Sequence, residues 1–174
     1  GFEFVNSIKG GNIPKEFIPA IEKGIIETMS QGVWAGFPVV DVRVNLTDGK
    51  YHEVDSSERA FRTCASIAFK KAFLQANPEL LEPVMSVNVI SPEEFSGTIT
   101  GMLCSKRGRI LGMDSQGSAK VVKAIVPLAN MFGFASELRN MTQGRGSFTM
   151  RFEHYEAVPF NFAEEVIRKK KESR

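Results

Sequence analysis

The feature that most restricts this chain is the order of short periodic segments in its second half. Residues 84–90, 109–113, 120–126 and 147–153 are β-branched or alternate apolar with polar side chains, and the segments 92–104 and 128–141 between them carry helical spacing. The order strand, helix, strand, strand, helix, strand is two β-α-β units in succession. It predicts an antiparallel sheet with both helices on one face, a ferredoxin-like sandwich. The first helix is expected to open on the capping box Ser91-Pro92-Glu93-Glu94, the second on Pro127, and the second to close at Gly144. In the last strand, Phe148, Met150 and Phe152 are expected to point inward and Thr149, Arg151 and Glu153 outward.

The first half follows a different plan. After Gly10-Gly11-Asn12-Ile13-Pro14, the residues Ile18, Ile21, Ile25 and Met29 recur at helical spacing until Gly32, which predicts an amphipathic helix over 14–31. Residues 38–46 read as a strand with one face buried, and Asp48-Gly49 as a tight turn leading into a hairpin. Asp55, with Glu58 three residues later, predicts the cap of a long helix whose inward stripe is Phe61, Ala65, Ala68 and Ala72. Asn77-Pro78 and Glu82-Pro83 break the pattern twice and place a domain boundary near Pro83. A short amphipathic helix over 162–171, with a basic end, is too short to be stable alone and is expected to dock on one of the domains.

Several function classes fall away on composition and motif. Hydrophobic residues make up 43% of the 174, enough to bury a core. No apolar run reaches the eighteen or so residues of a membrane span and the start has no signal-peptide pattern, so a cytoplasmic protein with no membrane association is expected. Cys64 and Cys104 have no second ligand at metal spacing and are expected to be buried core thiols. No glycine-rich phosphate loop of a known type occurs. No nucleophile, metal set or second base stands at a useful spacing from His52, so no catalytic residue is assigned.

The net charge is +2 but uneven: residues 1–82 carry 9 basic and 11 acidic groups, and residues 83–174 carry 13 and 9. Lys106, Arg107 and Arg109 stand at a helix end, where they complement the helix dipole as a solvated terminus or pair with RNA phosphate. The run Thr142-Gln143-Gly144-Arg145-Gly146-Ser147 is either structural punctuation or a loop that approaches phosphate, and punctuation is the simpler account. His52, beside Tyr51 in a polar turn, is either solvated and idle or a probe of RNA. His154, at the end of a strand, reads as structural.

Three motifs in the first half carry a further signal in their order: Gly10-Gly11-Asn12-Ile13-Pro14, Gly36-Phe37-Pro38-Val39-Val40-Asp41, and Tyr51-His52-Glu53-Val54-Asp55-Ser56-Ser57-Glu58. The second half adds Arg107-Gly108-Arg109-Ile110, the run from Val126 to Gly133, and Thr142 to Ser147. Together they resemble the elongation factor G family of bacterial ribosomal translocases along nearly the whole chain. The resemblance implies two α+β domains. Residues 1–82, without their N-terminal strands and completed by a C-terminal helix over 159–174, would form an elongated β-α-β module with a left-handed crossover, like a small-subunit ribosomal protein. Residues 83–158 would form the ferredoxin-like domain.

The same resemblance places Gly10, Gly11, Asn12, Asp48, Gly49, Lys50, Tyr51 and His52 in tip loops that enter the decoding centre and meet tRNA paired to mRNA. His52 matches the position modified to diphthamide in the eukaryotic counterpart, and Asn12 stands where the family commonly has an apolar residue. Lys106, Arg107, Arg109 and Arg145 are implied to contact large-subunit rRNA. The implied partners are the rRNA of both ribosomal subunits, tRNA–mRNA and the remaining domains of the same polypeptide, with the protein a monomer. No cofactor is expected in these residues, since in the family GTP and Mg belong to an N-terminal GTPase domain, and this chain is expected not to be the enzyme. A ribosome-recycling or rescue paralogue and a free-standing RNA-binding module are the alternative readings.

Overall fold

The computed structural model describes residues 1–172, so residues 173 and 174 of the expected C-terminal helix lie outside the described residues. The chain divides into two compact units, Gly1–Pro78 with the segment from Asn161 onward, and Glu79–Phe160. The division falls at Pro78 rather than at Pro83. Leu81 and Glu82 already pair with Ala157 and Glu156, and Pro83 sits within the strand at a position where its missing amide is tolerated.

In the first unit, β1 (Phe2–Asn6) and β2 (Val42–Leu46) form a parallel two-stranded sheet, with Phe2 opposite Val42 and Phe4 opposite Val44. Parallel neighbours need a crossover, and α1 (Ile18–Gln31) supplies it. Sequence reading leaves β1 unassigned, although Phe2 and Phe4 alternate with Glu3 as a half-buried strand should. A single 3-10 turn, Lys15–Phe17, precedes α1, and Gly32 ends it in the left-handed region with its amide donating to the Met29 carbonyl. β2 starts at Val42 rather than Pro38 because Asp41 has φ of 56°, which breaks the extended path.

α2 (Glu58–Gln75) is capped by Ser57, whose hydroxyl accepts from the Ala60 amide, not by Asp55. Its inward stripe runs Phe61, Ala65, Phe69, Phe73, whereas Ala68 and Ala72 are exposed. The bulky rings set the phase, since they bury far more apolar area than an alanine can. α1 and α2 approach closely: a Cβ on Gly24 would lie 2.4 Å from the Arg62 carbonyl oxygen. Thr28 Oγ1 sits 2.7 Å from both the Gly24 carbonyl and Ser66 Oγ, and Arg62 pairs with Glu27 across the same contact. Phe2, Phe4, Val42, Val44 and Leu46 cover the core formed by Ile13, Ile21, Ile25, Met29, Ala65 and Phe69. α5 (Phe160–Glu172) belongs to this unit over most of its length, with Ala163 buried and Lys170 Nζ 5.3 Å from the Phe37 ring centroid.

The second unit is the ferredoxin-like βαββαβ sandwich. β3 (Leu81–Pro92), β4 (Arg109–Gln116), β5 (Ala119–Pro127) and β6 (Ser147–Ala157) make an antiparallel sheet in the order β4-β5-β3-β6. α3 (Ser96–Ser105) and α4 (Phe134–Met141) cover one face. Val87, Val89, Val122 and Val126 meet Ile99, Leu103 and Phe134 there with no exposure at all.

Three expectations for this unit change, and so does a fourth that concerns both units. Each helical segment starts as a 3-10 turn, Glu93–Phe95 and Leu128–Asn130, before the α-helix begins. Ser91 is a buried strand residue opposite Lys120 and does not cap, and Glu93 and Glu94 pair instead with Lys120 and Arg145. Phe148 packs edge-on against Phe134, but Met150 and Phe152 are exposed, because β6 is an edge strand and its far end lies beyond helix cover. Cys64 and Cys104 are both exposed, on the outer faces of helices that bury only one side.

Candidate nucleic-acid interface

Two loops of the first unit meet at the ends of the parallel sheet. One follows β1 and runs through Gly10 and Gly11, both with φ of +71°, a conformation that costs glycine little and other residues more. The other leaves β2 at Thr47 and reaches α2 at Ser57. It contains a turn but no second strand, so Asp48 to His52 is not a hairpin arm: the neighbour of β2 is β1, and the chain passes directly to α2.

The structure brings the candidate residues of the two loops together. Asn12 Nδ2 donates to Asp48 Oδ1 at 2.9 Å, and the Gly49 amide donates to the same oxygen at 2.8 Å. Beneath them Ile13 is buried, and a Cβ on Gly49 would lie 2.4 Å from Ile13 Cδ1. A side chain at 49 would therefore have to displace the Ile13 side chain from its place. The Tyr51 ring lies 5.8 Å from that of Phe17, which stacks on Phe61 at 4.8 Å. Tyr51 thus anchors its loop to the core through part of its ring.

Lys50 and His52 lie between and beyond these anchors; His52 is exposed, as are Gly10, Gly11 and Asn12, and so is Lys50. The backbone around His52 is held by Ser56: the His52 amide donates to Ser56 Oγ at 2.9 Å, and the Ser56 amide donates to the His52 carbonyl at 3.0 Å. The Asn12 amide, the Gly49 amide and the Lys50 charge hold the Asp48 carboxyl below the usual carboxylate range. The loops therefore present backbone, a lysine and an imidazole, with Asp48 engaged by both of them.

In the second unit each candidate cation already has a carboxylate partner. Lys106 Nζ is 2.9 Å from Glu137 Oε2 and largely covered, and Asn130 Nδ2 donates to the Lys106 carbonyl at 2.9 Å. Arg107, with φ of 63°, pairs with Glu82, both side chains mostly buried. Arg109 Nη2 is 2.5 Å from Glu156 Oε1 and exposed. Arg145 Nη2 is 2.7 Å from Glu94 Oε1, with its guanidinium carbon 4.8 Å from the Phe95 ring centroid. Lys106, Arg107 and Arg109 share one end of the sandwich, where α3 passes into β4, whereas Arg145 stands on the loop from α4 to β6.

His154 is part of the same arrangement, with Nε2 2.8 Å from Glu156 Oε1. Hydrogen bonds from His154 and Arg109 lower the Glu156 carboxyl. Ile13, Phe17 and Ser56 position the loops; Ile13 and Ser56 stand inside motifs that do not reveal this role, and Phe17 stands in none. A buried isoleucine, a core phenylalanine and a loop serine are ordinary until the two loops are brought together. Among the described residues no cluster of histidine, cysteine and carboxylate groups could hold a metal ion, and no helix is long and apolar enough to cross a membrane.

A parallel βαβ unit with paired exposed loops, followed by a ferredoxin-like unit, is the arrangement of the C-terminal modules of a translation elongation factor. Residues 1–77 match the family described as "Elongation factor G, domain IV", and residues 79–166 match the one described as "Elongation factor G C-terminus". Elongation factor G of Aquifex pyrophilus is 58% identical over 96% of this chain, which spans 24% of that relative's length. A crystal structure of a Thermus thermophilus protein superposes with a TM-score of 0.87 at 42% identity, over 98% of this chain and 26% of that one. The chain belongs to the elongation factor G family and carries its domain IV and C-terminal domain.

Proposed function

We propose that these two units are the ribosome-engaging part of a translocation factor, with the paired loops of the first unit meeting tRNA and mRNA at the decoding centre. The observation that carries this reading is the junction of the loops. Asp48 and Gly49 are tied to Asn12 and Ile13, while Lys50 and His52 face solvent beside two glycines whose backbone a large polyanion can approach. In this reading the loops bind the codon–anticodon duplex more tightly after movement than before. Only such a difference in affinity can shift the equilibrium forward. His52 and the amides near Gly10 and Gly11 supply that difference, and Tyr51 holds the loop in place.

The second unit anchors to large-subunit rRNA through Lys106, Arg107, Arg109 and Arg145. Because each is paired with a carboxylate, RNA phosphate must exchange with that partner, so each contributes less to the salt dependence of binding than an isolated cation does. GTP and Mg belong, in this proposal, to other domains of the same polypeptide, and the residues described here bind neither. The factor acts as a monomer in the cytoplasm.

The test is His52→Ala in the full-length factor, with tRNA movement and GTP hydrolysis timed separately. Slowed movement with continuing hydrolysis supports the proposal, and unchanged movement removes His52 from it. For the anchor, charge reversal at Arg109 and Arg145 should weaken ribosome binding and flatten its salt dependence. Unaltered affinity and slope would overturn that part.

A further inference from the structure

The loop after β1 has little to hold it by itself. Its two left-handed glycines leave a wide range of conformations open, and its own ties are the Ile8 amide on Asn6 Oδ1 and the Phe17 amide on the Pro14 carbonyl. The loop after β2 is likewise without a strand partner. Beyond the strand ends, where the Ser7 amide donates to the Leu46 carbonyl at 2.8 Å, the side-chain hydrogen bond that joins the loops centres on one atom: Asp48 Oδ1 accepts from the Asn12 side chain and from the Gly49 amide, so this oxygen ties one loop to the other and sets the turn of its own. The contact of Ile13 beneath Gly49 and of Phe17 beside Tyr51 flanks that bond on both sides.

We infer that Asn12 and Asp48 are a positioning pair whose hydrogen bond makes the two loops one surface and fixes where Lys50 and His52 stand relative to Gly10 and Gly11. The inference rests on the proposed meeting of these loops with RNA, and it adds what makes them competent to do so. A preorganised surface loses less conformational freedom on binding than two independent loops would. The geometry needs an acceptor at Asp48 Oδ1; because both donors are neutral amides, the negative charge strengthens the bonds but is not needed to form them. Asparagine at 48 keeps that acceptor and alanine does not.

The experiment uses the full-length factor with Asn12→Ala, Asp48→Ala, the double variant and Asp48→Asn, read by amide hydrogen exchange across 8–13 and 47–56 and by the rate of tRNA movement. Loss of a hydrogen bond of ordinary strength should speed exchange roughly five-fold in both loops, whichever partner is removed. The double variant should match the larger single effect, because one interaction is lost only once. Movement should slow several-fold in the alanine variants and recover with Asp48→Asn. Exchange confined to the mutated loop, full additivity in the double variant, or Asp48→Asn as slow as Asp48→Ala would each overturn the pairing. A His52→Ala factor that moves tRNA at the normal rate overturns the functional reading instead, and leaves the exchange result to decide the pairing alone.

Discussion

The two units solve the same layer problem with different completeness. In the second, a four-stranded sheet under two helices leaves Val87, Val89, Ile99, Leu103 and Phe134 with no exposure. In the first, a two-stranded sheet under two helices leaves no described core residue less than 3% exposed. Two strands span too little width to roof a helix pair, so the core is closed partly by loop residues such as Ile13. The units also differ in how they hold charge. The candidate cations of the second are each tied to a carboxylate, whereas at the loops of the first the anchors are an amide, an isoleucine and two rings, and Lys50 and His52 face water.

The sharpest way to break this contrast is to remove a ring from each core. Phe134→Ala should destabilise the second unit by about 3–5 kcal/mol, and Phe69→Ala the first by clearly less, since its site already touches solvent. Urea unfolding checks this, with Trp34, the single tryptophan, reporting on the first unit and circular dichroism on both. Next comes a pair of helical glycines. Gly24→Ala pushes a methyl into the Arg62 backbone and should cost about 1–3 kcal/mol, whereas Gly101→Ala meets nothing within 4 Å and should stabilise α3 by about 0.5–1 kcal/mol. Thermal unfolding with opposite shifts of Tm is the expected result.

Smaller differences separate cations within the second unit. Arg107→Ala strands the mostly buried Glu82 and should cost about 1–3 kcal/mol, while Arg109→Ala, at an exposed pair, should stay within about 0.5 kcal/mol. Denaturant midpoints decide between them. The smallest effect is in acid. Hydrogen bonding from Arg62 lowers Glu27, and hydrogen bonding from Asn12 lowers Asp48. For groups lowered on folding, the stabilisation is present at neutral pH and is lost as pH falls through their lowered values, below the ordinary carboxylate range. Glu27→Gln should flatten that acid limb of the first unit's stability profile and leave the second unit's unchanged.

Much of the second unit is legible in the sequence because its strands alternate over whole segments and its turns fall on glycine and proline. The misplaced details are those that depend on a neighbour. Met150 and Phe152 have the alternation of buried residues, but an edge strand extends past the helices that would cover them. Cys64 and Cys104 have a buried residue's chemistry on an exposed face. In the first unit, Phe69 and Phe73 displace Ala68 and Ala72 from the inward stripe, because the phase of a helix is set by the partner that receives its largest groups. The candidate loops were visible only as motifs, since no local rule pairs residue 12 with residue 48.

The sequence by itself determined which segments are helix or strand in the second half, the two-unit division within a few residues, and the family, because these rest on periodicity, punctuation and ordered motifs within short stretches of chain. Only the tertiary structure decided that β1 pairs with β2, that Asp48 Oδ1 joins two loops 36 positions apart, and that each candidate cation of the second unit has a carboxylate beside it. Those contacts join residues distant in sequence, and their geometry is fixed by the packing of whole elements, not by the preferences of the residues that make them.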